Sequence, residues 1–441
     1  MYYLVVDSLT INLNAHKIEY LGSTGYLFNV FRDGQDNYDD GDKTILTING
    51  DGEISTTGEC IATAGEGGGI VINGGTHTTS GSTLYKSTGG KIEIIEGMFK
   101  STSKTIPYVL LDGNSSTIEV KGGSYYNWDP SNKDITYNDP KNLLARTEDI
   151  TKSMYICLHN KPELNWYTVT KKYIVDNDTN TGSKNELNNA FADEDASIID
   201  VNNNVDYNDR FWLENRGDVT LNLNGNTFHG SESGGYSGVV VNNTQLTIND
   251  GNFTGGGFQV AYPHSKLILN NCNITLTTAN TSARYCVYTA DRSQVIFNGG
   301  NLKFAPSDNQ AKKRAYFMAV GNSRIFVLDC VCGAPTSRTD GDINFNKYPI
   351  YTDNANSKVV IYNGEFGFDP TVWIADGAEV TKLSSTKWRV TTPGVTSSKN
   401  AETGKVTTVI SYGTFEFDPT PWLDPTSTLT KTDTQWIVTA A

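Results

Sequence analysis

Helix-favouring residues, basic runs and long apolar stretches are all scarce in this chain, and each shortage removes a class of protein. Only 19% of the residues are charged and 4 are Met, against 42 Gly and 23 Tyr, a mix that favours turns and strands over helices. An all-β fold follows. No basic run exceeds Lys312-Lys313-Arg314 and the formal charge is −14, so nucleic acid and anionic lipid are not expected partners. No apolar run is long enough to span a membrane, and residues 2–6 are too short and too poorly flanked for a signal peptide. The six cysteines (Cys60, Cys157, Cys272, Cys286, Cys330 and Cys332) form no CxxC pair and do not cluster with the 5 His. They read as small buried side chains, with a disulfide framework as the alternative; no metal site and no cofactor is expected.

What the chain does contain is one short phrase, repeated. Val219-Thr-Leu-Asn-Leu-Asn-Gly, Leu246-Thr-Ile-Asn-Asp-Gly-Asn-Phe253, Leu267-Ile-Leu-Asn-Asn-Cys-Asn-Ile274 and Val295-Ile-Phe-Asn-Gly-Gly-Asn-Leu302 share an apolar–any–apolar strand followed by a corner. Alternation puts Leu246 and Ile248, or Val295 and Phe297, on one face and sends Thr247, Ile268 and Ile296 to the other. Gly75, Gly97, Gly123, Gly251, Gly300, Gly364 and Gly413 fall at one place in the phrase, as a corner with positive φ or no room for a side chain requires. A constant strand with variable returns predicts a solenoid, each turn closing on the same cross-section.

Leu9-Thr-Ile-Asn-Leu-Asn14 repeats Val219-Thr-Leu-Asn-Leu-Asn224, so the larger unit is itself duplicated. The expected division is a first copy over 1–172, a second over 173–393 and a short third rung with its closing module over 394–441. Ahead of the second copy, Ser183-Lys-Asn-Glu186 reads as a capping box opening a short helix that shields the end of the stack. The first copy has no such preface, which leaves its start as either a fragment boundary or an end covered by something else. The acidic loop 33–42 lacks calcium-loop spacing and reads as solvated.

Each copy ends in a second phrase. Phe366-Gly-Phe-Asp-Pro-Thr-Val-Trp373 precedes Lys387-Trp-Arg-Val-Thr391, Phe415-Glu-Phe-Asp-Pro-Thr-Pro-Trp422 precedes Gln435-Trp-Ile-Val-Thr439, and Tyr125-Tyr-Asn-Trp-Asp-Pro130 precedes Asn165-Trp-Tyr-Thr-Val-Thr170. Asp-Pro starts a turn, and the pieces after it read as a β-hairpin whose aromatics close the base; stacking on sugars is the alternative for these rings. Between rungs of the second copy, three excursions (277–294, 305–323 and 333–358) carry Tyr285, Tyr288, Tyr316, Tyr348 and Tyr351. Tyrosines there are candidate receptor or glycan contacts, or only pack the loops down.

The rung phrase at 220–225, the Asn-Gly-Gly corners at 73–75 and 298–300 and the Gly-x-Phe-x-Phe-Asp-Pro closures at 364–370 and 413–419 resemble right-handed parallel β-helix proteins. Among these they are similar to fibre and tailspike proteins of tailed bacteriophages, gut phages especially. The resemblance implies a pectate-lyase-like solenoid, two tandem copies each closed by a hairpin module, assembled as a homotrimer in a virion with other virion proteins. It also implies host attachment through a bacterial surface glycan or protein. A non-enzymatic receptor-binding or decoration protein is the expectation. The alternative is a polysaccharide depolymerase, lyase or hydrolase, which needs carboxylates paired across one groove. Asp250, Asp291 and Asp329, with Arg292 and Arg324 near them in sequence, form no paired motif, and no catalytic residue is assigned.

Overall fold

The computed structural model describes residues 3–440 except 6, 23–24, 32–43, 59, 82, 103–107, 113–116, 132–142, 148–150, 162–164, 208, 231–238, 277–283, 305–313 and 335–348. The acidic loop 33–42 and Tyr348 therefore lie outside the described residues. The chain divides into two compact units, Met1–Tyr173 and Ile174–Ala441.

In the first unit the rung phrases stack parallel and in register. Leu9–Asn12, Thr44–Asn49, Gly68–Thr79, Lys91–Ser101 and Thr117–Val120 form one ladder, aligning Ile11, Ile48, Ile72, Ile94 and Val120. Past the corner, Lys17–Tyr20, Glu53–Thr56, the far halves of the two long strands and Ser124–Tyr126 form a second. A third runs through Tyr3–Val5, Tyr26–Val30, Cys60–Ala64, Thr83–Ser87 and Tyr108–Asp112. Side chains from all three meet in a single buried cluster. Parallel sheets bury strands well only when their inner face is filled continuously, and the alternating apolar positions supply that filling.

The second unit repeats the plan. Its first ladder is Ala196–Val201, Val219–Asn222, Gln245–Asn249, Lys266–Asn270, Gln294–Phe304, Arg324–Cys332 and Lys358–Ile361. The second ends on Gly364–Phe366. The third is Phe211–Glu214, Val239–Asn242, Phe258–Ala261, Arg284–Thr289, Arg314–Ala319 and Ile350–Thr352. Asparagine closes four successive rungs of the first ladder for a physical reason. Asn222, Asn249, Asn270 and Asn298 each donate their amide to the residue one rung earlier, from Asp200 onward, over 2.8–3.2 Å. An amide both donates and accepts, so the row satisfies itself along the stack.

Both reasons for a corner glycine are present. At Gly300 φ is +119°, and a Cβ there would lie 2.0 Å from the Cys272 carbonyl; at Gly251 a Cβ would meet the Leu223 side chain at 2.2 Å. Cys272 and Cys330 hold the same position in their rungs and are fully buried, and none of the six cysteines is in a disulfide.

The helix ahead of the second copy is Asn180–Ala192, one turn earlier than the capping-box reading placed it. Thr179 is its N-cap, its side chain accepting from the Gly182 amide, whereas Ser183 is buried inside. Glu186 instead accepts from the Asp176 and Asn177 amides. Leu187 and Ala190 are buried against Ala196–Val201 and Val205–Asp206. Arg216 donates to the Phe191, Asp193 and Ala196 carbonyls at 2.5–2.8 Å, a cation at the negative end of the helix.

The closing phrases fold as expected. Gly364–Phe366 pairs antiparallel with Lys387–Thr391, and that strand with Glu379–Ser384. Gly413–Phe415, Trp436–Thr439 and Thr428–Lys431 repeat the arrangement, as do Ser124–Tyr126, Trp166–Val175 and Ser153–Lys161. The predicted third rung differs. Val406–Ile410 adds to no parallel ladder; it pairs antiparallel with Val395–Lys399. The segment from Val395 onward lies instead on the outer face of the first ladder, where Ile268, Ile296, Phe326 and Leu328 pack against Val395, Ile410, Phe415, Phe417 and Trp422. The outward row of that ladder runs Thr220, Thr247, Ile268, Ile296, Phe326, Val360. It turns from polar to apolar where this cover begins.

Candidate functional site

Two surfaces of the second unit gather chemistry. The first collects the tyrosines, which stand on strands rather than in loops. Tyr285 and Tyr288 belong to Arg284–Thr289, Tyr316 to Arg314–Ala319 and Tyr351 to Ile350–Thr352. The stretches read as excursions are therefore partly rungs of the third ladder. Tyr288, Met318 and Tyr351 stand in one register and are half-buried. The Tyr285 ring stacks on that of Tyr288, with centroids 5.6 Å apart and planes 29° apart. Burial, followed by the neighbouring Tyr288 and Tyr351, pushes the Tyr285 hydroxyl up to about 12. Tyr316 does not join them. It is 1% exposed, its ring 4.9 Å from Phe304, and its hydroxyl donates to the Gly333 carbonyl over 3.0 Å. It is a core residue, not a contact candidate.

The second surface is a groove of about 810 Å³ between the rung corners and the hairpin Val395–Lys399 with Val406–Ile410. Asp250, Asp329, Glu365, Arg389, Lys399 and Lys405 line it. Lys405 reaches Asp250 at 2.8 Å, and the Val406 amide donates to Asn271 Oδ1 over 2.6 Å, fastening the hairpin to two corners. Glu365 faces Arg389 at 2.6 Å and Lys387 at 2.5 Å, and their hydrogen bonds hold its carboxyl below the usual range. Asp329 stands one rung away. Burial pushes its carboxyl up to about 6, the Glu365 charge adds to the rise, and Ser397 and Lys399 oppose it. Two acids thus share a groove with opposite perturbations, the arrangement that divides a proton donor from a permanent anion.

Asp329 was visible in the sequence as an acid after a strand. Glu365 was not, because it occupies the variable place in Gly-x-Phe-x-Phe-Asp-Pro. Only the register that sets it beside Val331 brings it to Asp329. Asp291 does not line the groove; it stands at the first surface, where after burial its charge and that of Asp353 raise the pKa of Tyr288.

A buried carboxylate with a raised pKa opposes folding when ionised. Its folded value exceeds its unfolded one, so its favourable contribution is complete below about pH 4 and is lost as pH rises through 6. Asp329→Asn keeps an acceptor for Ser397 and is expected to stabilise the second unit at pH 7 by about 3 kcal/mol. The gain should shrink toward zero at pH 4 in denaturant titrations; an equal gain at both pH values would refute this account.

Comparison with protein-family models, with curated proteins and with solved structures returned no match for this chain.

Proposed function

We propose that the three ladders of each unit wrap one core as a right-handed parallel β-helix, and that the protein is a fibre or receptor-binding component of a phage particle. Parallel strands stacked in register in three ladders support the coil, and connections between parallel strands are right-handed almost without exception. The role proposed is attachment to a bacterial surface glycan without cleavage, as a homo-oligomer, with a trimer expected. The observation that carries it is the half-buried set Tyr285, Tyr288 and Tyr351, fixed on two rungs with one rung between them rather than on pliable loops. Rigid amphipathic rings make contact surface at low entropic cost. No described helix is long and apolar enough to cross a membrane.

The test is attachment of the labelled chain to host cells before and after stripping of their surface polysaccharide. Binding that survives stripping but not protease treatment would point to a protein receptor and against the glycan. In a double variant, Tyr288→Ala with Tyr351→Ala, attachment should fall about tenfold or more, each lost stack contributing roughly 0.5–1.5 kcal/mol.

One observation favours a second reading, a depolymerase working in the groove. Asp329, held partly protonated near neutrality, would donate to the leaving oxygen, and Glu365, held ionised, would serve as base or nucleophile. Against it, Glu365 is engaged by two cations of its own module. Released oligosaccharide on incubation with host capsule, abolished in Asp329→Asn, would establish cleavage; intact polymer would leave attachment alone.

A further inference from the structure

Gln259, Tyr288, Met318 and Tyr351 occupy one register across four successive strands. Their neighbours Phe258, Val287, Phe317 and Ile350 are buried, so alternation turns the row outward. None of the four carries a formal charge. Parallel strands lie about 4.8 Å apart, which sets Tyr288 and Tyr351 about 9.5 Å apart along the stacking direction, with Met318 between them. An extended peptide presents like side chains only every ~6.7 Å, which does not match. A glycan of equatorially linked pyranoses does, because it turns the same apolar face outward at every second sugar.

We propose that this row binds an extended, uncharged, equatorially linked glycan lying along the stack, one sugar on Tyr288, the next over Met318 and the third on Tyr351. The inference rests on the attachment reading above and adds the ligand's direction, pitch and charge. Tyr285, stacked on Tyr288, restricts that ring before any ligand arrives, which lowers the ordering cost of binding. The Gln259 amide, at the end of the row, offers a donor and an acceptor to a sugar hydroxyl.

The experiment is calorimetric titration of the full chain with β-1,4-linked glucose and N-acetylglucosamine oligomers from dimer to hexamer, with maltohexaose as a helical control. Affinity is expected to climb about tenfold between dimer and trimer, when the second ring is reached, and then to level off. Tyr351→Ala should flatten that climb in a chain that is still fully folded at the titration temperature, and Tyr412→Ala, on an exposed tyrosine elsewhere, should keep it. Equal affinity for dimer and hexamer, preference for maltohexaose, or wild-type titration by Tyr351→Ala would overturn the row while leaving attachment intact. Failure of every oligomer in a chain that still attaches to cells would overturn it as well. A chain that attaches to no cell would defeat the attachment reading itself.

Discussion

Replacing Phe326 with alanine is expected to cost the second unit about 3–5 kcal/mol, although Phe326 points away from the interior of its own ladder. Its side chain is fully buried because the segment from Val395 onward covers it, with the Phe417 ring 4.9 Å away. Removing a buried ring loses transfer free energy and leaves a cavity that a rigid ladder cannot collapse into. The loss should appear as release of the cover. Glu416, which bridges Arg324 at 2.8 Å and Lys358 at 2.9 Å, and Thr408, which donates to Asn298 over 2.6 Å, hold the same interface but are too exposed or too few to replace the apolar contact. Truncation after Pro393 should then expose Ile268, Ile296, Phe326 and Leu328 together and produce aggregation or strong binding of an apolar dye. A truncated chain that stays monomeric and binds no dye would show that the cover is dispensable.

The first unit should weaken in acid by roughly 3 kcal/mol through one imidazole. His77 is fully buried within an aromatic stack, its ring 5.0 Å from Phe99, with Tyr85 edge-on at 5.7 Å. One ring nitrogen, Nε2, lies 2.8 Å from the Gly74 carbonyl and the other, Nδ1, lies 2.8 Å from the Tyr85 hydroxyl. A neutral ring with the proton on Nε2 satisfies both, donating to the carbonyl and accepting from the phenol. Burial pushes its pKa down to about 4, with the Gly74 carbonyl opposing. Folding therefore excludes a proton that the unfolded chain binds below about 6.5. Stability is complete above that value and is lost as pH falls toward 4. Asp329 has the opposite sign over the same window, so the two units should diverge between pH 4 and 6. His77→Phe removes the titration but leaves the Tyr85 hydroxyl without its acceptor and the Gly74 carbonyl without the ring N–H; adding Tyr85→Phe removes the first of these two losses and should recover part of the stability at neutral pH. If the single variant retains the wild-type pH slope, His77 is not the group responsible.

Periodicity alone was enough to place the first-ladder rungs, their corner glycines and the closing hairpins, because each depends on neighbours within a few residues or on a repeat that aligns with itself; it missed the third-ladder rungs within the stretches read as excursions and misplaced Val406–Ile410 as a rung. The apolar outward residues Ile268 and Ile296 were equally plain in the sequence, yet nothing local said what would cover them. Their cover comes from the segment beginning at Val395, about a hundred positions or more away. Register rather than distance hid the meeting of Asp329 with Glu365 and the separation of Tyr316 from the other tyrosines, since these depend on which residues neighbouring strands align and on how each corner bends. Helix placement differed by one turn because Thr179 and Ser183 offer the same capping chemistry, and the choice between them was made by which side chain the rung beneath could bury.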